Sequence, residues 1–221
     1  MAQSLISPYD LYEFLLFHFG AQHWWPAETS FEVVVGAILT QQVAWKNVEK
    51  AIENLKNNHV LDLSKISNLS LEKLELYIKP TGFYRQKARN LKSICAYISS
   101  KYNGDLKVLF NKETSSLRTE LLSLNGIGQE TADSIILYAA GKLSFVIDAY
   151  TKRICERLQL TDELKYELLK RFFESSIPED VKIYKEFHAL LVELGKNYCK
   201  TKPMCKNCPL NKKCKSYTQD K

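Results

Sequence analysis

Leu121-Leu-Ser-Leu-Asn-Gly126-Ile127-Gly128-Gln129-Glu130-Thr131-Ala132 joins two stretches of helical periodicity through a glycine pair. Glycine reaches backbone angles closed to other residues and leaves no side chain in the way, so the amides of the turn and of the helix after it can face a phosphate. The segment predicts a helix-hairpin-helix that grips a polyanion without reading its sequence, with Gly126, Ile127, Gly128, Gln129 and Thr131 as the contacts. An ordinary glycine-containing turn has the same local pattern. What separates the two is Phe145-Val146-Ile147-Asp148 further on, a lone carboxylate after an apolar run, placed to cap the helix opening at Ala149 and to act as a reactive anion.

Around this segment almost every stretch repeats apolar residues at helical spacing. Tyr9, Leu11, Leu15, Leu16 and Phe19 predict a first helix, and Phe31, Val34, Val35, Ile38 and Leu39 a second. A third runs from Trp45 to Leu55. Ser70 caps a fourth that Lys79-Pro80-Thr81-Gly82 breaks, and Arg85 to Tyr102 resumes with Ala88, Leu91, Ile94 and Ile98. Later helices are expected at 106–110, 115–123, 130–140, 149–158, 163–175 and 181–197. Eight Gly and six Pro in 221 residues are few, which argues against a turn-rich β fold and for an all-α protein. With 45% hydrophobic and 25% charged residues, global disorder is excluded. The apolar stretches at 11–19 and 31–39 are too short to cross a bilayer, and no signal peptide pattern precedes them, so a cytoplasmic protein with no membrane partner is expected.

The net charge of +6 is unevenly spread: residues 196–221 hold eight lysines and one acid, while the rest of the chain is close to neutral. A polyanion can dock at this end. The same segment carries Cys199-x5-Cys205-x2-Cys208-x5-Cys214. Without a secretory signal a disulfide framework is disfavoured, and four thiolates this close can surround zinc or a 4Fe-4S cluster. Zinc ribbons pair two CxxC motifs across a longer loop; here a single CxxC lies between wider arms, which favours the cluster over zinc. Cys95 and Cys155 sit singly within helical patterns and read as buried thiols. His18, His23, His59 and His188 show no metal spacing and read as structural, with His23 also near the pocket residues described below.

Taken in order, Gly36-Ala-Ile-Leu-Thr-Gln-Gln42, Ile78-Lys-Pro-Thr-Gly82-Phe-Tyr-Arg-Gln-Lys87-Ala88, the 124–132 hairpin, Val146-Ile-Asp148 and the four-cysteine loop resemble the helix-hairpin-helix (HhH-GPD) DNA glycosylases of the endonuclease III superfamily over nearly the whole chain. The first cysteine gap has five residues where that family usually has six. The resemblance implies two helical domains: residues 30–141 carrying the hairpin, and residues 1–29 with 142–221 carrying the cluster, the reactive groups lying in the cleft between them. It implies that Gln42 is the wedge filling the gap left by a flipped base, and that Lys87 and Arg85 contact phosphate.

Two departures refine the reading. Members that cut the strand through a Schiff base have lysine just before the Thr-Ala of the second hairpin helix; Glu130 stands here and cannot form an imine. The resemblance then implies a monofunctional glycosylase in which Asp148 stabilises the oxocarbenium ion and orients or deprotonates water. His23-Trp24-Trp25-Pro26, with Trp45, resembles the 3-methyladenine glycosylase branch, and indole faces attract a cationic alkylated purine. The expected partner is double-stranded DNA holding a damaged base, acted on by a monomer, nucleoid-associated in a prokaryote. Glycosylases for oxidised or mismatched bases, and a non-catalytic damage-binding protein, are the alternatives; retention of Asp148 speaks against the last.

Overall fold

The computed structural model describes residues 6–217, and all regular structure among them is helical. The helices are α1 (Pro8–Phe19), α2 (Ser30–Leu39), α3 (Trp45–Asn57), α4 (Leu63–Asn68), α5 (Leu71–Ile78), α6 (Tyr84–Tyr102), α7 (Leu106–Phe110), α8 (Thr114–Leu122), α9 (Gln129–Ser134), α10 (Ala149–Leu158), α11 (Tyr166–Ser176) and α12 (Val181–Asn197). Most begin where a short polar side chain takes up an amide that the first turn leaves unpaired: Ser7, Thr29, Asp62, Ser70, Asp105, Asp148 and Asp180 all do so.

Two compact units result, one of Trp25–Lys142 and one of the described residues up to Trp24 together with those from Leu143 onward. The N-terminal division thus falls between the paired tryptophans, whereas the resemblance assigned residues through 29 to the discontinuous domain.

In the contiguous unit α2 is the central element, buried from Phe31 to Leu39 and packed by α3, α6, α9 and the turn that follows α9. It buries Glu32 as well, and Lys56 answers that charge at 2.9 Å. The two arms of the hairpin, α8 and α9, are pinned by a bidentate pair: Arg118 Nε donates to Asp133 Oδ1 at 2.8 Å and Nη2 to Oδ2 at 3.1 Å, with Asp133 fully buried. Further from the hairpin, Lys101, Lys112, Tyr97 and Tyr102 all donate to Glu120, tying α6 to α8.

In the discontinuous unit α12 packs on α1 and α10 around an aromatic core, where Phe145 stacks on Phe173 at 4.5 Å and meets Phe187 edge-on at 5.7 Å. Cys155 is buried here, as Cys95 is in the other unit, and burial pushes the Cys95 thiol up to about 12. No helix among the described residues is long and apolar enough to cross a membrane.

Three local features differ from the sequence reading. Helix α4 is present, six residues that no periodicity could register. Helix α11 starts at Tyr166 rather than 163, because the Thr161 hydroxyl accepts from the Glu163 amide and closes a turn first. The second hairpin helix widens into a π turn over Ile135–Ala139, where the Ala140 amide reaches back to Ile135.

Lys87 requires correction. Expected at a phosphate, it is only 3% exposed, and its ammonium donates to Leu39 O at 2.8 Å and Thr81 O at 2.9 Å. Burial lowers its pKa to about 8. The side chain closes the C-terminal end of α2 onto the Lys79–Thr81 turn, and no phosphate can reach it.

Two measurements follow from these contacts. Replacing Lys87 by Met strands two buried carbonyls and should cost about 1–3 kcal/mol of stability; the salt dependence of DNA binding should keep its slope, whereas loss of a phosphate contact would lower that slope by about one. Glu120 gives a pH test. Burial alone would raise its pKa, but the four donors outweigh it and hold the carboxyl at about 2. Since an unfolded glutamate titrates near 4.3, the carboxylate stabilises the fold at neutral pH and loses this effect as pH falls toward 2. Thermal melts of Glu120→Gln should start lower at pH 7 and decline less steeply between about pH 4.5 and 2 than the parent.

Candidate functional site

Leu39 ends α2, and the chain turns through Thr40–Val43 before Trp45 opens α3. Thr40 caps α2, its hydroxyl donating to Gly36 O at 2.6 Å. Gln42 is exposed and takes a left-handed φ of 56°, uncommon for a residue with a side chain. Its neighbour Gln41 points the other way. Gln41 Nε2 donates to Gly126 O at 2.9 Å and to Thr131 Oγ1 at 3.0 Å.

Those bonds bring the turn after α2 onto the hairpin, and Gln41, Gln42, Gly126, Ile127, Gly128, Glu130 and Thr131 line one open cavity of about 460 Å³. Gly126 has a φ of +84°, and a Cβ there would lie 1.9 Å from the Asn90 side-chain nitrogen. Gly128 differs from expectation: its φ is −91°, an angle open to any residue, and its Cα faces open space. Two other expected contacts turn inward. The Ile127 side chain joins the core and Thr131 is 6% exposed with its hydroxyl taken by Gln41, so toward a ligand only their backbones are available. Gln129 and Glu130 are exposed in the first turn of α9.

A second cavity of the same unit, about 330 Å³, is lined by Trp25, Pro26, Trp45, Glu32, Glu49, Glu53 and Lys56, among others. Trp25 stands edge-on to Trp45 at 5.2 Å and to Tyr138 at 5.3 Å. Gly36 makes room for it, since a Cβ there would meet the Trp25 indole at 3.0 Å. Trp45 Nε1 donates to Glu49 Oε1 at 2.8 Å, one helical turn on. With Lys56 bound to Glu32, two further carboxylates, Glu49 and Glu53, give the lining a negative balance. The structure thus brings Trp25, Pro26 and Trp45 together, whereas Trp24 belongs to the discontinuous unit, where it is half-buried.

In the discontinuous unit Asp148 caps α10, accepting from the Thr151 amide at 2.7 Å, and its Oδ2 lies 3.7 Å from His188 Nε2 on α12. Burial alone would push the carboxyl up; the His188 imidazole and the Thr151 amide outweigh it and hold the group below the usual aspartate value, so it is an anion at neutral pH. Nothing in the sequence spacing marked His188 as its partner.

The four cysteines line a single cavity of about 100 Å³ with Arg157, Tyr198 and Pro203. Arg157 Nη1 donates to Cys199 Sγ at 3.3 Å, and Arg153 Nε to Cys199 O at 2.7 Å. Burial, with the other three sulfurs adding to it, pushes the Cys208 thiol up to about 11. Among the described residues no three His, Cys, Asp or Glu side chains form a ready group for one metal ion.

Arg85 and Phe83 complete the surface features. Phe83, inside the expected phosphate-contact segment after Gly82, is 73% exposed at a left-handed φ of 44° and shares a shallow apolar surface with Arg85 and Arg89. Its exposure and its left-handed turn are visible in the structure alone. The sequence reading missed Gln41 and Asn90.

Comparison with known proteins agrees with this fold. The profile of the HhH-GPD superfamily of base excision DNA repair proteins matches residues 35–179. A provisionally named DNA repair glycosylase of Methanocaldococcus jannaschii is 51% identical over 94% of this chain and 96% of its own. Endonuclease III of Thermotoga maritima is 29% identical over 85% of this chain and 83% of its own. Among solved structures, H. pylori 3-methyladenine DNA glycosylase bound to 1,N6-ethenoadenine superposes with a TM-score of 0.77 and 29% identity, covering 86% of this chain and 98% of that one. An endonuclease III–DNA complex superposes with a TM-score of 0.80 and 25% identity, covering 96% of each chain. With the family profile matching most of the chain and about half of its residues identical to those of the M. jannaschii relative, this protein belongs to the HhH-GPD superfamily of base excision DNA repair glycosylases.

Proposed function

We propose that the enzyme is a monofunctional glycosylase that removes alkylated purines such as 3-methyladenine from duplex DNA. The observation that carries the substrate is the cavity lined by Trp25, Trp45 and an excess of carboxylates. Alkylation at a ring nitrogen leaves a purine cationic, and cation–π attraction to an indole is worth about 0.5–2 kcal/mol per contact. Glu49, accepting from the Trp45 ring nitrogen, adds negative charge at the edge of that ring. The likeness to the H. pylori 3-methyladenine enzyme supports the same reading. A second reading, an enzyme for oxidised or mismatched bases, draws on the relatives named endonuclease III.

A cationic leaving group lowers the demand for acid catalysis, and the chemistry reduces to stabilising positive charge on the sugar and delivering water. Asp148, anionic and fixed by its cap bond, suits both tasks. Glu130 offers no amine, so water is the nucleophile and no imine forms. On the DNA side the hairpin backbone holds phosphates, Gln42 enters the gap left by the extruded base, and Phe83 with Arg85 and Arg89 offers an apolar wedge flanked by cations.

Cys199, Cys205, Cys208 and Cys214 would hold a 4Fe-4S cluster. The donor set fits: the four cysteines line one cavity, and the Arg157 guanidinium donates to the Cys199 sulfur. Such a cluster ties the lysine-rich loop together.

Borohydride trapping tests the subtype. The parent protein should form no covalent adduct with lesion-bearing or abasic DNA, and strands should break only after alkali. Glu130→Lys should yield some adduct, since it places an amine in the first turn of a helix, where the local positive field keeps part of it unprotonated. Efficient trapping by the parent would overturn the reading.

A further inference from the structure

We infer that Gln41 is a positioning residue that couples the DNA-gripping hairpin to the wedge Gln42; the inference rests on the wedge and hairpin roles proposed above. Gln41 uses both protons of one amide on the hairpin, one on the turn carbonyl of Gly126 and one on the hydroxyl of Thr131. The next residue, Gln42, sits exposed at a φ of 56°. A left-handed conformation costs about 1–2 kcal/mol for a residue with a Cβ and persists where surrounding contacts over-determine it. The contacts doing so here are Thr40 capping α2 and Gln41 anchored on the hairpin, both just before Gln42, and the Val43 amide after it, which donates to Thr40 O at 3.2 Å.

The Gly126 carbonyl is held from one side by Gln41 while the Asn90 amide fills the space that a side chain at Gly126 would need, and Gln86 Nε2 fixes Asn90 at 2.8 Å. Neither the hairpin turn nor the Gln42 turn can shift alone. Phosphate binding at the hairpin therefore sets the height and direction from which Gln42 enters the helix, and Gln41 carries that relation.

The test uses the full-length protein and a duplex in which 2-aminopurine lies opposite a tetrahydrofuran abasic analogue, so that filling of the gap is read as a change in fluorescence without dependence on which lesion the enzyme removes. Gln41→Met keeps length and shape but cannot donate. It should cut the fluorescence change as far as Gln42→Ala does, with the double variant no worse, while affinity for undamaged duplex stays within about twofold, because phosphate contacts dominate that affinity. Single-turnover base release from methylated duplex should fall roughly 10- to 100-fold, the scale of a misplaced group, and release from the same DNA made single-stranded should change little. Melting temperatures confirm that each variant is folded.

Parent-like fluorescence in Gln41→Met, or equal losses on duplex and single strand, would overturn the coupling. If Gln42→Ala also leaves the signal intact, it is the wedge role that fails. Parent protein that fills the gap but releases no methylated purine overturns the substrate reading instead and leaves the fluorescence test decisive for Gln41.

Discussion

There is no room for a side chain at Gly126. The carboxamide of Asn90 occupies the space, and the rest of the hairpin is arranged around that approach: Gln41 holds the freed carbonyl, Thr131 turns inward to meet Gln41, and the Arg118–Asp133 pair keeps the two arms at a fixed separation. Both ends of this arrangement lead to α6. Its Asn90 supports the hairpin turn, and Lys87, one turn earlier, fixes the last carbonyl of α2 just before the glutamine pair. The buried face of one helix thus sets two surface loops at once, and the hairpin proposed to bind DNA through its backbone amides gains the rigidity that such contacts need.

Polar burial of this kind is hazardous unless every group is met. Lys87 bonds two carbonyls, Asp133 is bidentate and Glu120 collects four donors. In the discontinuous unit the same device suits the role proposed for Asp148, which combines a helix cap with His188 opposite and so remains an anion despite burial. An anion kept ready in a water-poor setting can stabilise a cationic sugar without reorganising first.

Much of this was legible in the sequence because the residues announce themselves locally. Ser70 before an apolar run and Asp148 before Ala149 mark helix starts, and the Gly126 turn and the cysteine spacing need no distant information. Lys87 was misread although its register held the clue: it precedes Leu91 by four residues and Ile94 by seven, on the buried face of α6, and Asn90 precedes Ile94 by four. A lone polar residue on an apolar stripe is better read as bonded inside than as exposed. Gln41 and His188 carried no such signal, since their partners lie tens of residues away along the chain. Helix α4 was too short for periodicity, and the π turn after α9 preserves an apolar pattern that fits an α-helix equally well.

The proposed reaction binds a cationic base in the aromatic, acidic cavity and releases it with water as the nucleophile. The most direct measurement is chromatographic identification of the free bases released from duplexes carrying 3-methyladenine, 7-methylguanine, uracil or an oxidised pyrimidine, with strand integrity assayed before and after alkali. Methylated purines are expected among the products, with no oxidised pyrimidine and with strands intact until alkali is added. Release of the oxidised pyrimidine with strand cleavage in neutral buffer, and no methylated base, would contradict it.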